Sequence, residues 1–362
     1  MNPAASAPTA TDPAPWVSIV IDNHNYAHFL PAAIDSALSQ THPRTETVVV
    51  DDGSTDDSRQ VIAAYGDRVR AVYKPNGGQA SAVNAGFAES RGDVVIFLDA
   101  DDSLAPGTAA AAAEVFREQP DTARVQYRLA VTDANGRPTG ELVPADYVRM
   151  PSGDLSAGLM RFNNLTWWPP TSGHAFSART LRRILPMPEE PFRIAMDYYL
   201  VRASALCGPV VSLDLVGATY RRHGANDDLR ERLDLEQVRS QIRLIGSAHP
   251  HLRRFAESLR RSGFPATAED VADLRYVALR MMSRKLDPAR HPIPGDTLAG
   301  LAARGIRVAR QQSHQPLRMR LLAGLWFLAV LVAPRSRARV LGEKYAYPQT
   351  RPRLNRLLRG GR

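Results

Sequence analysis

The sequence predicts an α/β fold: a doubly wound, mostly parallel sheet followed by a helical C-terminal extension. Three observations predict it. Short β-branched runs alternate with helically spaced apolar segments between Val17 and Leu98, the pattern of parallel strands joined by crossover helices. Three of those runs end in polar, mostly acidic loops: Asp22 to Asn25, Asp51 to Ser54 and Asp99 to Asp102. From about Asp228 onward the apolar residues fall at helical spacing.

Val17 to Ile21 reads as the first strand, and Pro31 suits the first turn of the helix that carries Leu30, Ala33, Ile34, Ala37 and Leu38. Thr47 to Val50 is the second strand. Ser54 is expected to cap the helix after it, and Gly66 to stop that helix. Val69 to Tyr73 is a third strand, Asn76-Gly-Gly78 a turn, and Gln79 to Ser90 a helix. Val94 to Leu98 is apolar throughout, as a strand buried on both faces must be. Pro106 opens an Ala-rich helix to about Gln119. Arg124 to Val131 and Glu141 to Val143 form a hairpin turning at Asn135-Gly136. Gly173 to Ser177 is a strand, with helices near Arg179 to Leu185 and Ala195 to Leu206. Four further helices are expected, at Leu229 to Ala248, Leu252 to Ser262, Ala266 to Lys285 and Thr297 to Gln312. The expected organisation is a disordered Ala/Pro/Thr-rich leader over 1–15, an α/β domain over 16–227 that changes character near 106, and a basic helical region over 228–362.

The chain carries 46 Lys+Arg against 37 Asp+Glu, a formal charge of +9. Acids gather in the first hundred residues and arginines after about Arg179, so the C-terminal part is expected to meet an anionic partner. Neither a recognition motif nor interleaved aromatics point to nucleic acid. The single cysteine, Cys207, excludes an internal disulfide and a cysteine-based metal site, and suits a reducing compartment and a small core residue.

In a parallel sheet the three polar loops gather at one edge, where open α/β folds bind ligands. Asp99 and Asp101 are two apart and point the same way if the chain stays extended. Two such oxygens suit a hard divalent cation beside a diphosphate. Packing carboxylates on one rim costs on the order of 1 kcal/mol per close surface pair; a cation or hydrogen-bond donors from a ligand offset that. Each loop alone also reads as an ordinary solvated turn.

Taken in order, Ser18-Ile-Val-Ile-Asp-Asn-His-Asn25, Val50-Asp-Asp-Gly-Ser54, Asn76-Gly-Gly-Gln-Ala-Ser-Ala-Val-Asn-Ala-Gly86 and Phe97-Leu-Asp-Ala-Asp-Asp102 resemble the N-terminal half of family 2 glycosyltransferases. The match is close over about Val17 to Pro106 and thins towards Asn226. The resemblance implies the GT-A fold, a nucleotide-sugar donor such as a UDP-sugar, Mn²⁺ or Mg²⁺, and inversion at the anomeric carbon. It implies that Asp52 accepts from the base and that Asp22 and His24 line the nucleoside pocket. Asp99 would contact the ribose or the metal shell, Asp101 would bind the metal, and Gln79 and Asn84 would shape the donor site. The first loop departs from the usual Pro-Thr-Tyr-Asn form, and His24 reads as a stacking partner for the base or, as a lone loop histidine more often is, a solvated residue.

An inverting transfer needs a carboxylate to deprotonate the acceptor hydroxyl. Met196-Asp-Tyr-Tyr199 resembles the segment where the family carries Glu-Asp before aromatics, which makes Asp197 the base; a first-turn acid also interacts favourably with the helix dipole. Met196 stands in place of the Glu. Tyr220-Arg-Arg-His-Gly-Ala-Asn226 resembles the segment that closes the site, with Arg222 near the diphosphate and His223 a metal ligand, or else a plain basic loop. Trp167, Trp168 and His174 fall in the acceptor region, where Trp either stacks on sugar or fills core.

Leu321 to Ala333 is nearly all apolar and flanked by arginines. As a helix it is about 20 Å long, short of the roughly 30 Å hydrocarbon core. It is expected to lie against an anionic membrane over 318–339 or to pack as a buried C-terminal helix. The expectation is an enzyme that transfers sugar to a glycan or lipid-linked acceptor in surface polysaccharide synthesis, cytoplasmic and peripheral on the inner membrane. The rival readings are a catalytically silent scaffold, kept open by Met196, and a sugar nucleotidyltransferase, whose Gly-rich phosphate loop after the first strand is missing here.

Overall fold

The computed structural model describes residues 14–162, 168–224, 233–270, 272–312 and 316–346. The chain divides into two compact units. One comprises Met1–Arg161, Leu165–Ala225 and His251–Phe264; the other comprises Phe162–Asn164, Asn226–Pro250 and Pro265–Arg362.

The first unit is built on one sheet. Strands β1 (Val17–Asn23), β2 (Thr45–Asp52), β3 (Arg70–Lys74) and β4 (Val94–Asp99) pair in parallel in the order β3-β2-β1-β4. Helices α1 (Leu30–Leu38), α2 (Ser58–Ala64) and α3 (Gln79–Glu89) make the crossovers. Past β4 the sheet is mixed. It continues through β8 (His174–Ser177), β6 (Arg124–Thr132), β9 (Val210–Arg221) and β5 (Ser103–Leu104), and β7 (Pro138–Val143) hairpins onto β6. The β4–β8, β6–β8 and β5–β9 pairs are antiparallel, while β6–β9 is parallel.

β9 is absent from the sequence-based reading. Its exposure alternates poorly and Gly217 interrupts it, so neither period is legible. The glycine answers to packing: a Cβ there would lie 2.4 Å from the Tyr127 ring of β6. Helices α4 (Thr108–Glu118), α5 (Ser156–Phe162), α6 (Ala178–Ile184) and α7 (Met196–Cys207) follow in the same stretch of chain, and one further helix is shared. The main core lies between the sheet and α1 and α4, and includes Ile19, Ile21, Ile34, Ile96, Leu98, Ala109 and Tyr127.

The shared helix corrects an expectation. Residues read as two helices form one, α8 (Leu235–Ser258), running through Pro250. Proline removes one backbone hydrogen bond. The buried positions Val238, Ile242, Ile245, Ala248, Leu252 and Ala256 nevertheless stay in helical register across it. In the second unit α9 (Leu274–Leu286) starts later than periodicity suggested, because the Asp273 carboxylate caps it by accepting from the Arg275 and Tyr276 amides. Helices α10 (Leu298–Gln311), α11 (Leu317–Val332) and α12 (Arg335–Ala346) follow. Phe327 of α11 seats on Gly305 of α10, where a Cβ would come within 2.5 Å of the ring. Inside this unit Asp296 accepts from Arg280 Nε at 2.8 Å and pairs with His291 Nε2 at 2.9 Å.

Candidate active site

The register of the parallel strands builds the rim. Asp22 at the end of β1 lies opposite Asp99 at the end of β4, Asn23 lies opposite Asp51, and Asp52 lies opposite Lys74. The buried strands therefore deliver acids side by side at their carboxyl ends. Two carboxylate oxygens, Asp22 Oδ1 and Asp99 Oδ1, are buried without a hydrogen-bond partner among the described residues.

Burial and then the neighbouring Asp101 carboxylate push Asp22 up to about 7. Asp99 is raised well above the usual carboxylate range by burial, then by Asp22, Asp102, Asp101 and Asp197. That last contribution brings Asp197, in the first turn of α7, within electrostatic range of the rim. Asp102 is raised by burial and by Asp101, against the hydrogen bond it receives from Ser172.

Asp99, Asp101 and Asp102 each offer an oxygen, all within 4.8 Å of one another. They are not equivalent. Asp102 is locked, accepting from Ser172 Oγ at 2.7 Å and from the Arg221 amide at 3.0 Å. Asp101 Oδ2 lies 2.8 Å from His223 Nε2, and the His223 ring stands beside those of Phe29 and Tyr26. Hard oxygen donors, two orphaned buried carboxylate atoms and a facing imidazole suit a divalent cation held by Asp99 and Asp101, with His223 at its edge.

The opposite side of the rim is a glycine turn. The Gly77 and Gly78 amides donate to the Asp52 carboxylate at 2.9 and 2.7 Å, and Lys74 Nζ pairs with it at 2.5 Å. Both Asp52 oxygens thus already accept from the chain, and a base that reached Asp52 would have to displace one of these donors. Gly78 sits at φ +86°, and a Cβ there would meet Arg193 within 2.5 Å, so only glycine fits. His24 Nδ1 lies 2.9 Å from the Asp52 carbonyl, with Asn76 Nδ2 at 3.1 Å, so the exposed ring is held at the rim. Ser54 does not cap α2, contrary to expectation. Its hydroxyl accepts from the Asn25 amide at 2.9 Å and from Asn23 Nδ2 at 3.2 Å, tying the first two loops together.

Gln79 and Asn84 lie on α3 and act on the segment that leads into α7. The Gln79 amide donates to the Arg193 carbonyl at 2.8 Å. Asn84 exchanges two hydrogen bonds with the Met187 backbone, at 2.8 and 2.9 Å. Two ties therefore set the start of α7, and with it Asp197, against the glycine turn. Met196 is fully buried, so its position faces core.

Four of the expected site residues are placed otherwise or lie outside the described residues. His174 is buried, with Nδ1 beside Arg124 at 2.9 Å and Nε2 beside the Pro169 carbonyl at 3.0 Å. Burial, then the Arg124 charge, holds it well below the usual histidine range. It is a core residue with no atom left for an acceptor. Arg222 turns to Glu141; strand alternation sends its neighbour Arg221 to the acids instead, Nε donating to the Asp101 carbonyl at 2.9 Å. Trp168 is half-buried, with Arg202 4.4 Å from its ring centroid, so one face is taken. Trp167 lies outside the described residues. Sequence reasoning missed Lys74, Arg221 and Ser172. Lys74 follows a predicted strand directly and Arg221 stands in the Tyr220–Asn226 segment, while Ser172 had no positional signal.

A sheet with convergent carboxylates at the ends of its parallel strands, a glycine turn opposite them and helices on its faces is the arrangement of an open α/β fold that binds its ligand at the carboxyl edge. Comparison with known proteins agrees. The model of glycosyl transferase family 2 matches residues 18–183. An uncharacterized glycosyltransferase of Nostoc sp. is 37% identical over 217 residues, covering 59% of this chain and 66% of that protein. The succinoglycan biosynthesis protein ExoO of Rhizobium meliloti is 30% identical over 257 residues, covering 69% of this chain and 71% of that protein. The chain thus spans slightly under two thirds of the Nostoc relative, and 29% of a Rickettsia prowazekii one. Among solved structures, residues 1–349 of S. aureus TarS in complex with UDP-GlcNAc superpose with a TM-score of 0.53 at 16% identity, covering 94% of this chain and 92% of that one. The mannosyltransferase PcManGT of Pyrobaculum calidifontis, in complex with GDP-Man and Mn²⁺, gives 0.50 at 16% identity, covering 95% and 88%. The chain belongs to glycosyl transferase family 2 and has the GT-A fold.

Proposed function

We propose that this protein is a metal-dependent, inverting glycosyltransferase. It moves a sugar from a nucleotide-diphosphate donor, a UDP-sugar, to a hydroxyl of a glycan or lipid-linked acceptor at the cytoplasmic face of a membrane, in surface polysaccharide synthesis. The observation that carries the reading is the pair of orphaned, buried carboxylate oxygens on Asp22 and Asp99, beside the Asp101–His223 contact. Uncompensated acids on a buried rim are costly to the fold, and a cation-bridged diphosphate offsets that cost. The ligands in the TarS and PcManGT complexes, UDP-GlcNAc and GDP-Man with Mn²⁺, and the succinoglycan biosynthesis for which ExoO is named support the same class.

Asp99 and Asp101 would hold the ion, which supplies positive charge to the leaving diphosphate. The chain's own residues do the rest. Asp22 and His24 line the nucleoside pocket, and the Asn76–Gly78 turn, held by Asp52 and Lys74, bounds it. Asp197 takes the proton from the acceptor hydroxyl as that oxygen bonds to the anomeric carbon, whose bond to the diphosphate oxygen breaks with the electron pair leaving on the nucleotide. Arg221 and Ser172 hold the acidic loop in position. Thermal-shift measurements with UDP and GDP sugars, with and without Mn²⁺, test the reading: a metal-dependent rise with one donor is expected. No rise with any donor, and no donor hydrolysis, would leave the silent scaffold standing.

A further inference from the structure

Helix α11 has two unlike sides. Phe327 and Val330 are buried. Leu317, Leu321, Leu325, Leu328 and Val332 recur at steps of three and four residues and are 45–81% exposed, with Leu322 beside them. Such a stripe is more apolar surface than one helix ordinarily leaves to water. At 16 residues α11 is about 24 Å long, and among the described residues no helix is long and apolar enough to cross a membrane.

The charge around the stripe selects its partner. From residue 297 to residue 342 there are eight arginines and no Asp or Glu. Arg318 lies at the start of the helix and Arg335 and Arg337 just past its end, all exposed. A cavity of about 470 Å³ at that end is lined by Arg284, Lys285 and Arg335 with no acid among its lining residues. A second copy would bring the same cations face to face. An anionic surface that is apolar beneath complements both the leucines and the arginines.

We propose that the α11 stripe and its flanking arginines form a docking face for an anionic phospholipid leaflet, with α11 lying in the headgroup plane. The inference deepens the membrane placement proposed above. It does not depend on chemistry at the acid rim, so a vesicle assay and a donor assay fail separately. The full chain is floated with vesicles of phosphatidylcholine alone or with phosphatidylglycerol added. Binding is expected only with phosphatidylglycerol and is expected to weaken as salt rises. L321E/L325E is expected to lose at least about tenfold in vesicle affinity, and R318E/R335E/R337E a comparable amount. Both sets of positions are exposed, so far-ultraviolet circular dichroism and donor hydrolysis should stay as in the parent. Failure of the parent chain to float with phosphatidylglycerol overturns the proposal. So does unchanged binding by the leucine variant, or light scattering that shows a dimer lost in L321E/L325E, which would make the stripe a self-interface.

Discussion

Two buried acidic sites in this protein are built in opposite ways. In the helical unit Asp296 is surrounded by partners. Burial would raise it, but hydrogen bonds from His291 and Arg280, with the Arg280 charge, outweigh burial and bring it down to about 2. At the strand rim Asp22 and Asp99 each keep a buried oxygen without a partner among the described residues, and burial with neighbouring acids drives both up. The first arrangement stabilises the fold at neutral pH. The second destabilises it unless something from outside the chain arrives. Carboxylates completed by their own chain belong to stability, and carboxylates left incomplete belong to the ligand.

The largest effect that tests this contrast is on rate. Asp197→Asn is expected to lower kcat by about 10²–10⁴-fold, with the unfolding midpoint unchanged and donor binding retained. A full-rate variant would remove Asp197 from its role. Next comes Asp296→Ala, which strands Arg280 in the interior. Urea unfolding should show a loss of about 3–5 kcal/mol, while donor affinity of the folded protein stays constant.

The two sites should also give stability opposite slopes with pH. Asp296, depressed from 3.8 to about 2, contributes stability that is present above pH 3.8 and lost as pH falls towards 2, about 2 kcal/mol in all. Asp22, raised from 3.8 to about 7, costs stability as pH rises through that interval, because the unfolded chain has already released its proton. In chelator-treated protein that loss is on the order of a few kcal/mol, and Asp22→Asn should remove this share of the slope and leave that of Asp99. Mn²⁺ should reverse it too; denaturant melts at pH 5 and pH 8, with and without the ion, decide. The smallest effect is expected from Asn84→Ala. Losing both bonds to Met187 should cost about 1–3 kcal/mol and raise the donor KM more than it lowers kcat.

Much of the acid rim was legible in the sequence, because it is local. Asp22, Asp52, Asp99 and Asp101 each follow a buried run, and a parallel register puts run ends together. What escaped was a set of partners that other strands and loops supply. Ser172 reaches Asp102, Arg221 reaches Asp101, and Lys74 saturates Asp52. His174 looked like an acceptor ligand only because burial is invisible in a residue name. Arg222 and Arg221 are indistinguishable until the register of β9 decides which one faces the acids, and β9 itself has no clean period to announce it.

By itself the sequence determined the parallel half of the sheet, the acidic loops at its edge and the uneven charge of the C-terminal region, since periodicity, turn residues and net charge are properties of neighbours along the chain. The tertiary structure alone decided which acids are completed and which stay open, that α8 runs through Pro250, and which side of α11 keeps its leucines in water. Those outcomes depend on contacts between distant residues, some more than a hundred positions apart, and no local pattern encodes which of two adjacent side chains such a contact will claim.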